Sequence, residues 1–179
     1  RLPTLVDGRP NLEGGRFDVA APTGPRHLRH RDRSRQRWST PRRPEVVEHL
    51  AGSSLLPAIY FIFSRAACDD AVRAVLESGL RLTRPAEARR VQEIVAAHVD
   101  HLDPGDLALL DHDRWRAGLE AGVAAHHAGM VPPFKEAVES CFAEGLVKVV
   151  FATETLALGI NMPARSVVIE SLSKFTGDH

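Results

Sequence analysis

Four short apolar runs punctuate the chain: Ala58–Phe63, Gly122–His126, Val147–Phe151 and Ser166–Ile169. At four to six residues each they have the length of strands, and the continuous apolar run of the first marks a strand buried on both faces, the habit of parallel sheets covered by helices. The segments between them carry a different period. Behind the first run Ser64 is suited to cap a helix by accepting a backbone N–H. Cys68, Val72, Val75 and Leu76 then recur at i, i+4, i+7 and i+8, and Gly79 supplies a stop. Behind the second run a loop over 127–131 leads to Pro132-Pro133, which suit a helix's first turn. Phe134, Val138, Cys141 and Phe142 share one face of that helix, which ends at Gly145. Alternating strands and helices predict an α/β fold, a mostly parallel sheet with helices on both faces. Ligands of such sheets bind at the carboxyl ends of the strands. The loops at Ser64, His126–Gly129 and Thr153–Asn161 are therefore expected along one edge.

Two stretches depart from this rhythm. Residues 80–120 are more polar and helical, with a stripe of Val91, Ile94, Val95 and Val99, a turn at Asp103-Pro104-Gly105, and one or two short helices over Leu107, Leu109, Leu110, Trp115 and Leu119. They read as an insertion packed on the domain, away from the chemistry. Residues 1–44 are rich in Arg, Pro and Gly and bury too little apolar surface to offset the entropy of ordering. Between Arg26 and Arg43 stand eight arginines against one acid, Asp32, a local charge of about +7, so the formal net charge of zero leaves about −7 elsewhere. The segment reads as a basic linker or arm, either a solvated tether or a contact for phosphates. The domain proper is expected over 45–179.

Composition removes several classes. No run approaches the length of a membrane span, and Arg1–Pro10 has no apolar stretch of the kind that directs secretion. Cys68 and Cys141 are the only cysteines and lie far apart, which excludes a disulfide framework and a Cys-rich zinc site and makes a reducing, cytoplasmic setting the default. The paired His126 and His127 raise the question of a metal, but neighbours on a strand point to opposite faces and no Cys or acidic pair adjoins them, so no metal site is expected.

The three polar loops resemble those of superfamily 2 helicases, specifically the superkiller-type DExH RNA helicases. Phe61-Ile62-Phe63-Ser64-Arg65-Ala66-Ala67-Cys68 looks like their motif IV, Ala125-His126-His127-Ala128-Gly129-Met130 matches their His-His-Ala-Gly loop, and Phe151 through Ala164 is nearly their whole motif V. Three motifs in order are specific, the run from Thr153 to Pro163 above all. The resemblance covers about 45–179 and implies the second RecA-like domain of an ATP-dependent RNA helicase, with residues 1–44 resembling the linker between the two RecA-like domains.

The resemblance also implies roles. A helicase grips a phosphate backbone without reading bases, through hydroxyls, backbone N–H groups and helix N-termini. Ser64 and Arg65 at a strand-to-helix turn, His127 and Gly129 in the loop beneath the RNA, Lys135, Thr153 and Thr155 are the expected contacts to single-stranded RNA. Gly159 and Asn161 are expected at the interdomain cleft near the nucleotide's ribose. Plainer readings stand beside these: Ser64 as a helix cap, Thr153 and Thr155 as partners of buried loop backbone, and the Phe134, Val138, Phe142 stripe as core. Glu154 belongs to motif V and is assigned no catalysis.

ATP and Mg²⁺ are the implied cofactors, yet the chain contains no G-x-x-x-x-G-K-[ST] loop and no DExH segment. Those are expected in a first RecA-like domain preceding Arg1, the implied partner. The arginine-rich motif VI, with its fingers for transition-state charge, is expected beyond His179. No residue of this chain is therefore read as catalytic, and alone it is expected to be inactive. Two alternatives remain open: a nucleic-acid clamp without catalysis, and a related DNA repair helicase.

Overall fold

The structure is a computed structural model that describes residues 5–6, 9–10, 41–153 and 163–170. The chain divides into two compact units, Arg1–Thr40 and Pro41–His179. In the first, β1 (Leu5–Val6) pairs antiparallel with β2 (Arg9–Pro10). The arginines from Arg26 to Arg37 lie outside the described residues.

The second unit runs α1 (Arg43–Gly52), β3 (Ala58–Phe61), α2 (Arg65–Glu77), α3 (Pro85–Val99), α4 (Pro104–Leu109), α5 (His112–Ala121), β4 (Val123–His126), α6 (Pro132–Ala143), β5 (Val149–Ala152) and β6 (Ser166–Ile169). The four strands from β3 onward form one parallel sheet in the order β4-β5-β3-β6. This is the α/β architecture that the apolar runs predicted, and it agrees with the RecA-like fold that the resemblance implies.

Each face of the sheet has its own core. Val149 and Phe151 of β5 face a cluster with Val47 of α1 and Cys68, Val72 and Val75 of α2. Val150 and Ala152 face a second cluster with Ile94 and Val95 of α3 and Val138 and Phe142 of α6. Successive residues of a strand point to opposite faces, so a strand buried on both sides has to be apolar throughout. The stripe Val91, Ile94, Val95 and Val99 thus builds the main core of one face; the 80–120 stretch is integral to that core. Leu109, read as part of a short helix, is the last residue of α4 and is 87% exposed.

Boundaries differ from the sequence expectation where backbone geometry intervenes. Helix α1 begins at Arg43, inside the segment read as arm, and buries Val47 and Leu50. Gly122 does not open β4; it ends α5 in the left-handed region (φ +86), where a Cβ would lie 3.1 Å from Leu82 and Thr83. Its carbonyl accepts the N–H of Lys148 at 2.7 Å, which sets the start of β5 two residues later than the apolar run suggests.

Lys148 also secures α3. Its Nζ donates to Glu87 Oε1 at 2.8 Å, and Glu87 accepts the Arg84 backbone N–H at 2.7 Å. The hydrogen bond from Lys148, with that from Arg84 behind it, holds the Glu87 carboxyl below its ordinary range. A depressed folded-state pKa contributes stability above the carboxyl's unfolded pKa and loses it as pH falls through the lowered value. Glu87→Gln is expected to be less stable than the parent at neutral pH and equal to it in strong acid. Denaturant midpoints across a pH series check this; a gap that persists in strong acid contradicts the assignment.

Candidate nucleic-acid interface

Strand register builds the candidate edge. Ala152 pairs with both Phe61 and His126, and Phe61 with Ile169, so the four strands end level. The chain leaves β3 through Ile62, whose N–H donates to Ala152 O at 2.9 Å, and leaves β5 through Thr153, whose N–H donates to His126 O at 3.4 Å. The exits of β3, β4 and β5 are therefore neighbours, although they lie far apart in sequence.

At the first exit Ser64 is extended (φ −150, ψ 126), and its Oγ accepts the Ala67 N–H at 3.3 Å. Ser64 is thus the cap of α2, and Arg65 is that helix's exposed first residue. The N–H groups of a helix's first turn have no intrahelical acceptor and attract anions. Helix α6 offers less. Pro132 and Pro133 lack N–H groups, and those of Phe134 and Lys135 both turn to Val131 O. Its contribution is the helix dipole and the Lys135 ammonium.

At the second exit the two histidines part, as strand geometry requires. His126 Nε2 meets Glu139 Oε1 of α6 at 2.8 Å, whereas His127 Nε2 meets both carboxylate oxygens of Asp69 on α2, at 3.1 and 3.2 Å. Gly129 N–H donates to His127 Nδ1 at 3.2 Å. A neutral imidazole that accepts at Nδ1 carries its proton at Nε2, so His127 donates to Asp69. The Met130 N–H closes the turn onto His127 O at 3.2 Å. A Cβ at Gly129 would lie 3.2 Å from His127 Nδ1 and 3.5 Å from Arg65 Cδ. The tight approach is to the loop's own imidazole, and Arg65 Cδ stands at ordinary contact distance, so the histidine loop lies beside the motif IV turn.

The structure thus brings Ser64, Arg65, His127 and Gly129 to one edge. Lys135 stands, half-buried, on the helix that follows the same loop. Thr153 is only 7% exposed and forms part of the edge's floor. Thr155, Gly159 and Asn161 lie outside the described residues. Sequence reasoning missed Asp69 and Glu139, the partners of the histidines. Asp69 sits one helical turn beyond Arg65, a spacing that places it on the same face and could have drawn notice.

Behind the histidine loop lies a pocket of about 320 Å³ between α2 and α5, lined among others by Asp69, Arg73, Arg114, Trp115, His127 and Met130. Trp115 stacks on Phe134 at 4.0 Å and closes its inner wall. Among the described residues no group of three or more His, Cys, Asp or Glu is disposed to hold a metal. Both cysteines are buried, and burial pushes each thiol up to about 12. Neither is a nucleophile at neutral pH. Among the described residues no helix is long and apolar enough to cross a membrane.

A parallel sheet clad on both faces, with motif IV and a His-His-Ala-Gly loop at its carboxyl edge, defines a RecA-like helicase domain. Residues 88–176 match the helicase conserved C-terminal domain, and the chain belongs to the superfamily 2 helicases of the DExH type. It is 55% identical over 141 residues to the probable helicase HelY of Mycobacterium tuberculosis, covering 79% of this chain and 16% of that protein. It is 45% identical over 143 residues to the chloroplastic DExH-box ATP-dependent RNA helicase DExH15 of Arabidopsis thaliana, covering 80% of this chain and 12% of that protein. It is 35% identical over 135 residues to the antiviral helicase SKI2 of Saccharomyces cerevisiae, covering 75% and 10%. The chain therefore spans less than a fifth of the length of these relatives.

Proposed function

We propose that this chain forms the second RecA-like domain of an ATP-dependent RNA helicase, supplying a sequence-independent grip on single-stranded RNA and one wall of the ATP cleft. The observation that carries the reading is the level ending of β3, β4 and β5, with the histidine loop closed against Arg65 at Gly129. Ser64, Arg65, His127, Gly129 and Lys135 form the track, with Thr153 in its floor, and the resemblance assigns Thr155 to the same contacts. These groups suit a phosphate backbone: one guanidinium, one ammonium, a hydroxyl and a helix N-terminus can each meet phosphate oxygens whatever the base sequence. Relatives named as RNA helicases support RNA as the substrate.

In this reading ATP and Mg²⁺ lie between this domain and a first RecA-like domain whose P-loop and DExH residues hold the phosphates and the metal. The resemblance assigns Gly159 and Asn161 to the nucleotide's ribose. When ATP draws the two domains together, the edge shifts along the RNA, and hydrolysis releases it. The setting is cytoplasmic.

The test is fluorescence anisotropy with single-stranded RNA and with DNA of the same sequence across a salt series. Arg65→Gln is expected to weaken binding uniformly across sequences and to reduce the slope of log K against log salt by about 1, the loss of one phosphate contact. Replacing the arginines between Arg26 and Arg37 by serine separates the arm from the domain. Affinity that vanishes with those arginines and ignores Arg65 overturns the reading.

A further inference from the structure

Arg43 opens α1, but its side chain reaches away from that helix. Nε and Nη2 donate to the two carboxylate oxygens of Glu170 at 2.8 and 3.0 Å, a planar bidentate pair across 127 residues of sequence. Nη1 donates to the Ala67 carbonyl at 3.2 Å. Glu170 directly follows β6, and its own N–H donates to Phe61 O at 3.2 Å, at the end of β3. Ala67 is the residue whose N–H is capped by Ser64. One guanidinium thus joins the start of α1, the carboxyl end of the sheet and the first turn of α2, where Ser64 and Arg65 stand.

We propose that Arg43, anchored by Glu170, is a positioning residue that sets the orientation of the Ser64–Arg65 turn toward the RNA backbone. The inference rests on the functional reading above. Arg43 is not itself a phosphate contact, because its fork is already filled by a carboxylate and a carbonyl. Nor does stability alone account for the arrangement. Both side chains remain 26% exposed, and ion pairs near the surface contribute little. What the fork supplies is direction, since two parallel bonds to Glu170 fix the guanidinium plane and so aim Nη1 at Ala67.

The test is anisotropy of the full chain with a fluorescent single-stranded oligouridine over a salt series, beside thermal melts of each variant. Arg43→Gln and Glu170→Gln are each expected to weaken binding about three- to tenfold, the coupling typical of groups sharing one network. The double variant is expected to be no weaker than either single one, and Arg43→Lys to fall between, because an ammonium cannot bond both carboxylate oxygens and Ala67 in one plane. The salt slope should stay at the parent value in all of them, whereas Arg65→Gln lowers it. If Arg43→Gln unfolds the chain, the milder Glu170→Gln carries the test. A slope lowered by about 1 in Arg43→Gln overturns the proposal in favour of a direct phosphate contact. Parent-like affinity in folded Glu170→Gln and Arg43→Gln overturns it in favour of a surface ion pair. If the parent binds no RNA, the functional reading fails and this one with it; if the parent binds and the variants match it, only the positioning role fails.

Discussion

Phe151→Ala is expected to remove about 3–5 kcal/mol of stability. The ring is fully buried in β5, the strand flanked by both β4 and β3. It lies 5.3 Å from Tyr60, centroid to centroid, and in the cluster that includes Cys68 and Val72 of α2. A parallel strand held between two neighbours cannot shift to fill the space, because its backbone bonds fix it on both sides. A domain of this size has about 5–15 kcal/mol in total, so one substitution takes a large share. The urea midpoint should fall with the slope unchanged. A loss below about 1 kcal/mol would mean that α2 collapses into the cavity, and would contradict a rigid sandwich. Binding should suffer too, since β5 sets the level at which the β3 and β4 loops begin.

His127→Ala is the second large expected effect, and it acts on both stability and recognition. The imidazole is buried, donates to Asp69 and accepts from Gly129. Its removal leaves the part-buried Gly129 N–H without that acceptor, while the half-exposed Asp69 returns to water. Together these cost about 1–3 kcal/mol. The loop also loses what holds it against Arg65, and affinity for single-stranded RNA is expected to fall at least about tenfold, or about 1.4 kcal/mol. Asp69→Asn separates the two parts. It keeps an oxygen that accepts from Nε2–H, so it should change stability by less than about 1 kcal/mol and leave binding near the parent value. Parent-like RNA affinity in folded His127→Ala would remove the histidine loop from the track.

Much of this was legible in residue order, because the physics concerned is local. A strand buried on both faces must be apolar nearly throughout, which made β4 and β5 visible to within two residues; β3 and β6 showed as apolar runs too, although β6 at the sheet's edge leaves Val167 57% and Ile169 51% exposed on one face. Ser64 reads as a cap because its acceptor serves an N–H three residues on. Helix α1 escaped notice because Val46, Val47 and Leu50 are too few to set a period amid a charged segment. Gly122 read as strand because its role depends on a positive φ and on Leu82 and Thr83 beside it, which no run of apolar residues reports.

Residue order alone determined the α/β class, the three polar loops and the edge to which they belong, since hydrophobic periodicity, capping and turn chemistry act over a few residues. Tertiary structure decided which loops meet. Chain order would place β3 beside β4, yet β5 lies between them, and only that arrangement sets Thr153 between the other two exits. His127 found Asp69 across 58 residues and Arg43 found Glu170 across 127. Side chains so far apart in sequence become partners only when the packed sheet and its helices bring them together, and a local rule has no term for that distance.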